Sequence, residues 1–424
     1  MQAFRIALIV AGVIGVGSVL TVGAQSPHMS ISDESNKAVV LLAGQPDHTT
    51  PPTQQPPPQS SPPTPAPTPP RLDEYSNLFA SYRRPSRRTR LARLPNMFGD
   101  SFLRGGTIQF SNVGPPFTNR STVPLAGGNR GTKVGENNKA IPTNRIYCLY
   151  NHFHNAIDTS VSGGVPGGPL TVNGPVDRYT VGFESTFLDE LWSVELRMPF
   201  SGSYDFSLNP AVAASRVDVH GGNVGNLSVI LKRIIYEDAT TAASIGMGVE
   251  VPTGNRASSR TGLTNITFEN NATILHPFVA VLHSPNPRLF YHGFAQLVVP
   301  TYGNLVHIGG APLGRVDDQT AMYLDLSAGY WLSRQPNGLI TGIASIVECH
   351  YTTTLESADV LRGAPGAFAI GNLANQVDVV NATTALHLEL GGDTTLRVGG
   401  VLPITTGDNR FFDAEVTIQL NRYY

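Results

Sequence analysis

The chain has 424 residues, a formal net charge of −2 and charged side chains at only 14% of its positions. This near-neutral balance gives no support to a nucleic-acid-binding function, because such proteins need a surplus of basic residues. The 43 glycines and the scarcity of charge favour strands and turns over exposed helices. The two cysteines, Cys148 and Cys349, lie far apart in sequence, and we expect free thiols rather than a disulfide framework.

Residues 1–24 have the pattern of a secretory signal peptide. Arg5 is followed by an apolar run over residues 6–22 and by Gly23 and Ala24, two small residues that suit cleavage before Gln25. The alternative is an uncleaved anchor, which the apolar run is barely long enough to form. We therefore predict a cleaved signal peptide.

Residues 25–72 are predicted to be a disordered linker. Twelve of the twenty-five residues in 46–70 are proline, and such a segment cannot bury a core. Six arginines follow between Arg83 and Arg93. They form either a solvated linker or a contact for anionic cell-wall polymer or lipid headgroups.

Residues 73–143 complete the predicted N-terminal part as an arginine-rich arm and an irregular segment. The sequence predicts one short strand there, at 107–110. The irregular segment suits a periplasmic cap, a plug inside a barrel, or an extra strand.

Residues 144–424 contain a regular series of strands. Their predicted positions are 145–154, 178–187, 190–200, 226–236, 241–251, 273–283, 288–300, 320–332, 339–353, 377–390, 394–404 and 411–424. The connections alternate between tight turns (188–190, 284–287, 334–338 and 391–393) and longer segments (201–225, 252–272, 301–319 and 354–376). Tight turns on one side and long loops on the other are typical of outer-membrane barrels.

The strands also alternate between apolar and polar residues. In the last strand one face carries Val416, Ile418 and Leu420, whereas Glu415 and Thr417 lie on the other. Such alternation on nearly every strand is required when lipid touches one face and the lumen the other. We therefore predict an all-β fold, an antiparallel up-and-down transmembrane β-barrel of about 12 strands, in the cell outer membrane with the N-terminal arm in the periplasm.

Proline marks the end of several strands that lead into long connections. The exits are Met198-Pro199, Val251-Pro252, Val299-Pro300 and Leu402-Pro403, each followed within a few residues by glycine. Proline removes a ladder donor, so each exit predicts the end of a strand.

These stretches resemble uncharacterised outer-membrane β-barrel (porin-like) families of planctomycete bacteria. The resemblance is carried by 144–154, 177–200, 288–294, 323–331 and 395–412, and it covers about residues 95–424. The proline exits are also similar to those of outer-membrane proteins grouped with aromatic-degradation pathways. The resemblance implies an envelope location and brings no catalytic residues.

Few residues suggest chemistry. His152 and His154 share one strand face and could bind a metal, but a hydrogen-bonded pair is the preferred interpretation. Neither a serine-hydrolase elbow nor a phosphate-binding loop is visible, so we predict no enzyme activity, cofactor or metal. The candidate lumen-lining residues are Arg178, Glu184, Glu195, Arg197, Glu348, His350, His387, Glu389, Arg397, Asp413 and Glu415.

The favoured function is a passive channel for small solutes. A plugged structural or surface-display envelope protein is the first alternative, and a secreted soluble β-protein is the second. The predicted partners are outer-membrane lipid, the barrel-assembly machinery and, through Arg83 to Arg93, anionic cell-wall polymer.

Overall fold

The computed structural model describes residues 89–100, 105–111, 118–124, 133–162, 168–208, 217–261, 264–335, 337–363, 368–373 and 375–424. The predicted signal peptide 1–24 and linker 25–72 lie outside the described residues, as do the first four arginines of the arm. No helix in the described part of the chain is long and apolar enough to cross a membrane.

The described elements are one short helix, α1 (Thr89–Ala92), and a series of strands. The strands are β1 (Gly105–Ser111), β2 (Thr118–Pro124), β3 (Arg145–Ser162), β4 (Leu170–Phe187), β5 (Trp192–Leu208), β6 (Val217–Val224), β7 (Leu227–Glu237), β8 (Thr241–Val251), β9 (Ala257–Thr261), β10 (Thr264–Phe268), β11 (Ile274–His283), β12 (Leu289–Pro300), β13 (Asn304–Ile308), β14 (Ala311–Val316), β15 (Ala321–Arg334), β16 (Ile340–Thr354), β17 (Val360–Arg362), β18 (Phe368–Gly371), β19 (Asp378–Leu390), β20 (Thr394–Pro403) and β21 (Ala414–Tyr423). A 3₁₀ turn at Gly407–Asn409 precedes β21.

Twelve of these strands form a closed antiparallel barrel. The order around the wall is β3, β4, β5, β7, β8, β11, β12, β15, β16, β19, β20 and β21. The barrel closes where β21 pairs with β3, with Ile418 opposite Tyr150. The predicted twelve-strand barrel is confirmed, and each barrel strand contains or overlaps the range predicted for it.

The outer wall of the barrel is apolar. On β21, Val416, Ile418 and Leu420 are 46%, 38% and 46% exposed, whereas the intervening Thr417 and Gln419 are buried. Large apolar side chains are exposed in the same way on the other barrel strands, among them Phe183, Leu196, Leu231, Ile245, Val281, Leu326, Val347, Leu386 and Val398. Because a water-soluble protein would not expose so continuous an apolar surface, this is a transmembrane barrel.

Three of the short connections, at 188–191, 335–339 and 391–393, reverse the chain with left-handed backbone. Gly391 and Gly392, between β19 and β20, have φ values of 62° and 91°. Glycine adopts this region at no steric cost, which explains the predicted turn at that position. Three of the four predicted proline exits end a strand, at Val251, Pro300 and Pro403. The fourth was wrong, because β5 continues beyond Pro199 to Leu208 and pairs there with β6.

The long connections extend the wall beyond the barrel. We call this extension the crown: β1, β2, β6, β9, β10, β13, β14, β17 and β18, with the adjoining ends of β3, β4 and β5. Within it β6 pairs with β9 and β10 pairs with β13. The predicted single strand at 107–110 is part of a hairpin, β1–β2, whose two strands pair with β18 and β3. The crown has its own apolar core, formed by Val161, Ala257, Ile266, Phe268, Val306, Val316 and Ile370.

Candidate functional site

The lumen contains a part of the chain that precedes the barrel. We call residues 89–100 and 133–144 the plug. Its two segments lie side by side, since the Met97 amide donates to the Asn138 carbonyl at 2.7 Å and the Asn137 amide donates to that of Phe98 at 3.0 Å. Of residues 94–142, the described stretches 94–100 and 133–142 pack against inward-facing wall residues, and 105–111 and 118–124 form strands.

The plug has an apolar side that packs on the barrel wall. Leu91, Leu94, Met97 and Phe98 are buried, and they share one core with wall residues. The wall residues in that core include Phe278, Phe290, Phe294, Trp331 and Ile346. This contact fixes the plug against β11, β12, β15 and β16.

A cluster of charges joins the two plug segments to the wall at β15 and β16. Lys133 forms ion pairs with Asp100 of the plug and with Asp325 of β15, the latter at 2.8 Å. Burial would raise the pKa of the Asp100 carboxyl, but the charges of Lys133 and His350 outweigh it and lower that pKa to about 2. Burial would likewise lower the pKa of Lys133, but the two aspartates raise it above its usual range. Both groups are therefore charged at neutral pH.

His350 extends this cluster along β16. Its Nδ1 lies 2.8 Å from an Asp325 oxygen, and its Nε2 lies 3.3 Å from a Glu348 oxygen. Glu348 in turn accepts hydrogen bonds from the backbone amides of Phe98 and Gly99, both at 2.8 Å. The wall thus binds the plug backbone directly through a carboxylate.

The donor set of this cluster could suit a cation, because oxygen and nitrogen atoms of Asp100, Asp325 and His350 lie within 4.8 Å of one another. The Lys133 ammonium, however, already contacts both carboxylates. The positive charge that the two aspartates need is supplied by the chain itself, so the cluster gives no reason to invoke a metal.

A second cluster lies near the end of the barrel that carries the short connections, which we call the short-turn mouth. There β3 and β5 begin and β4 ends. Arg145 lies 2.7 Å from Glu184 and 3.3 Å from Glu195. Glu195 also pairs with Arg197, at 2.9 Å, and the Arg197 guanidinium donates to the plug carbonyls of Lys133 and Val134. These contacts bind the second plug segment to β3, β4 and β5, the barrel strands that follow it in the sequence.

A third group of contacts surrounds the centre of the plug. The Arg178 guanidinium donates to both oxygens of Glu136, at 2.6 and 2.7 Å, and Glu415 accepts from Asn151 at 2.7 Å. Arg397 donates to the Asn96 carbonyl and lies over the Phe98 ring, 4.0 Å from its centroid. Every one of these polar groups is buried, so each depends on its partner to remain in the lumen.

Lys139 is the plug cation with the least favourable surroundings. Its ammonium donates to the carbonyls of Ala92 and Leu94, at 2.5 and 3.1 Å. Burial, the largest effect, and the charges of Arg145, Lys232 and Arg397 together lower the pKa of Lys139 to about 7, against the opposing charge of Glu184. Near neutral pH this side chain is therefore close to its titration midpoint.

Nine of the eleven candidate lumen-lining residues are buried on the inner wall. Those on the inner wall and buried are Arg178, Glu184, Glu195, Arg197, Glu348, His350, His387, Arg397 and Glu415, whereas Glu389 and Asp413 are partly exposed near the ends of β19 and β21. His152 and His154 do not face the lumen; His152 is on the outer side of β3 and lies 2.8 Å from Asp177. Cys148 and Cys349 are free, as expected.

Several residues of these clusters were missed from the sequence. On the wall they include Arg145, Lys232 and Asp325, and in the plug they are Asp100, Lys133, Glu136 and Lys139. Lys232 and Asp325 occupy inward positions of an alternating strand, and that signal could have found them. The plug residues lie in a segment without periodicity, so no sequence pattern pointed to them.

No protein-family model and no curated protein matches this chain. Among solved structures, an outer membrane channel from Pseudomonas putida F1 is 11% identical, with 68% of this chain and 97% of that chain covered and a TM-score of 0.43. The NanC porin is 8% identical, with coverages of 66% and 99% and a TM-score of 0.36. The beta domain of the Bordetella autotransporter BrkA is 10% identical, with coverages of 66% and 100% and a TM-score of 0.38. These likenesses are too distant to assign a function, and the resemblance to planctomycete families stays a prediction.

Proposed function

We propose that the protein is an outer-membrane channel for small solutes whose passage is closed, in this conformation, by its own plug. The observation that carries this proposal is the polar part of the contact between plug and wall, which lies beside the apolar contact described above. Charged side chains on β3, β4, β5, β15 and β16 bind the plug through ion pairs and hydrogen bonds.

A polar contact suits a plug that can leave. Charged wall groups such as Arg145, Glu184 and Arg197 would be hydrated in an open lumen, whereas an apolar wall would not. A barrel of twelve strands is wider than the eight-stranded kind that side chains alone can fill. The barrel and its inner charges therefore suit an aqueous passage, and the plug suits a gate that stays attached to β3 through residue 144.

The alternative is a structural or surface-display barrel with a permanent plug. Buried ion pairs such as Lys133–Asp325 favour it, because removing one partner of such a pair costs about 3–5 kcal/mol. The apolar outer wall argues against the second alternative, a secreted soluble protein.

Planar-bilayer conductance tests the proposal. We expect the full chain to be closed for most of the time, and a variant lacking residues 25–142 to conduct steadily. Lys133→Gln leaves two buried aspartates without their cation, so it should open more often than the full chain. Arg233→Gln, a change at an exposed arginine on the outer wall, serves as the matched control and should behave like the full chain. A folded deletion variant that does not conduct would support the structural alternative instead.

A further inference from the structure

The short-turn mouth contains a cleft that the channel proposal does not use. Its outer chamber, of about 740 Å³, lies between α1 and the strand ends and is lined by Arg90, Arg93, Arg334 and Glu389. Its inner chamber, of about 320 Å³, shares Arg93 and Glu389 and reaches Lys139 and His387. We call the two chambers the mouth cleft. Their volumes lie in the range of small-molecule sites.

The outer chamber has more positive than negative charge. Three arginines face one carboxylate, Glu389, which lies 3.6 Å from Arg334. Arg90 donates to Ser284 and is thereby held at the edge of the cleft. Arg93 is exposed, and its charge acts on the Glu389 carboxyl, but no carboxylate of the described residues lies within 4.0 Å of it. The chamber therefore has a guanidinium available for an anion.

The inner chamber has unmet hydrogen-bonding capacity. His387 is only 2% exposed, and neither of its ring nitrogens has a hydrogen-bond partner within the described part of the chain. Its ring lies edge-on to Trp331, with 5.6 Å between the centroids. Lys139, which lines the same chamber, donates to two backbone carbonyls and lies over the Tyr423 ring, 5.5 Å from its centroid. A buried imidazole without partners is costly, and a ligand that bonds to it would remove that cost.

We propose that the mouth cleft binds a small soluble organic anion through a carboxylate or phosphate group. Arg93 and Arg334 bind the charged group, since guanidinium matches the geometry of both anions. His387 and Lys139 hold the polar part that reaches the inner chamber. The cleft also contains three carboxylates, those of Glu190, Glu389 and Asp393. Glu389 lies 3.6 Å from Arg334 and Asp393 lies 3.8 Å from Arg422, so an arginine already neutralises each of these two acids, and the anion shares Arg334 with Glu389.

A soluble anion fits the location better than a lipid headgroup. The inner chamber is lined by plug residues and by inward-facing residues of β19 and β20, inside the barrel wall. The acyl chains of a lipid remain on the apolar outside of that wall. A headgroup would therefore have to separate from its own chains to reach His387.

Calorimetric titration of the full-length protein with citrate, at low ionic strength in neutral detergent, tests the site. We expect saturable binding that weakens with added salt. Arg93→Gln and Arg334→Gln should each weaken it by about tenfold or more, because each removes a charge-assisted hydrogen bond. Arg233→Gln, which removes an exposed arginine outside the cleft, should leave the affinity unchanged. Equal citrate affinity in the wild type and in both cleft variants would overturn the proposal, as would the absence of binding.

A second arm separates the two sources of anion. In nanodiscs of phosphatidylcholine alone, citrate should bind as it does in detergent, and added phosphatidylglycerol should not displace it. Displacement by phosphatidylglycerol would assign the site to a lipid headgroup, and it would overturn the proposal that the ligand is soluble. Because binding is measured on the closed protein, it can succeed or fail independently of conductance.

Discussion

Gly99 shows how closely the two plug segments approach. Its φ of 72° is in the left-handed region, and a Cβ at this position would lie 2.5 Å from the Glu136 Cα. The adjacent amides donate to Glu348, so the same turn fixes the plug to the wall. Only glycine satisfies both requirements.

Gly99→Ala is therefore expected to loosen the plug. The backbone conformation costs about 1–2 kcal/mol for a residue with a Cβ, and the clash with Glu136 adds to it. Gly309→Ala is the matched control, since Gly309 also has a positive φ (58°) but has no atom within 4 Å of a Cβ. Limited proteolysis in detergent should cleave within 89–144 faster in Gly99→Ala only. Equal cleavage rates in the two variants would show that the approach to Glu136 does not matter.

Titration of Lys139 makes docking of the plug in the lumen depend on pH, and the pKa shift of Lys139 fixes the direction of that dependence. Its pKa is about 7 in the folded protein and near 10.5 when the plug is hydrated. Between these values the undocked plug holds more protons, so docking becomes more favourable as pH rises, by at most about 1.4 kcal/mol per pH unit. Hydrogen exchange of plug amides, corrected for its intrinsic rate, should show protection that increases from pH 7 to pH 9. Lys139→Met should lose this increase, and an unchanged slope in that variant would contradict the assignment.

At the scale of a strand, successive residues of β21 face the lipid and the lumen in turn. Ile418 faces outward, whereas Gln419 is fully buried and donates to the Phe98 carbonyl of the plug at 3.1 Å. We expect a cysteine at Ile418 to react with lipid-soluble probes. A cysteine at Gln419 should be shielded in the full chain and should react with aqueous probes once residues 25–142 are removed. Aqueous labelling of both positions in the full chain would contradict a membrane-facing wall and a filled lumen.

The same strand explains what the sequence could predict. Alternation along β21 follows from the two environments that its faces meet, so the barrel strands and their number were predictable. The crown strands were not, because short strands such as β9 and β10 depend on pairing with distant connections. The partners of the inward-facing charges could not be predicted either. Asp325 binds Lys133 across 192 positions of the sequence, and periodicity contains no information about such distant pairs.

For the whole molecule, the path of the chain links the three parts. Arg90 of α1 contacts Ser284 in a short turn, so the plug begins at the short-turn mouth. Hairpin β1–β2 lies in the crown at the far end, and the chain then returns to begin β3 at Arg145, opposite Tyr423. A single N-terminal segment thus occupies the lumen and completes the crown. Withdrawal of the plug would therefore also disturb the pairing of β1 with β18.

This path makes sidedness a testable property of the whole fold. Outer-membrane barrels place short turns in the periplasm and long loops outside, so we expect the crown on the cell surface and the mouth cleft in the periplasm. Two matched glycine pairs allow the test: Gly309–Gly310 at a crown hairpin and Gly391–Gly392 at a short turn, all with positive φ and open space around them. An epitope inserted between the first pair should be detected on intact cells, because exposed tips tolerate insertion. An epitope between the second pair should be detected only after the outer membrane is permeabilised. The opposite pattern would invert the topology, and the arginines of the mouth cleft would then meet anions from outside the cell.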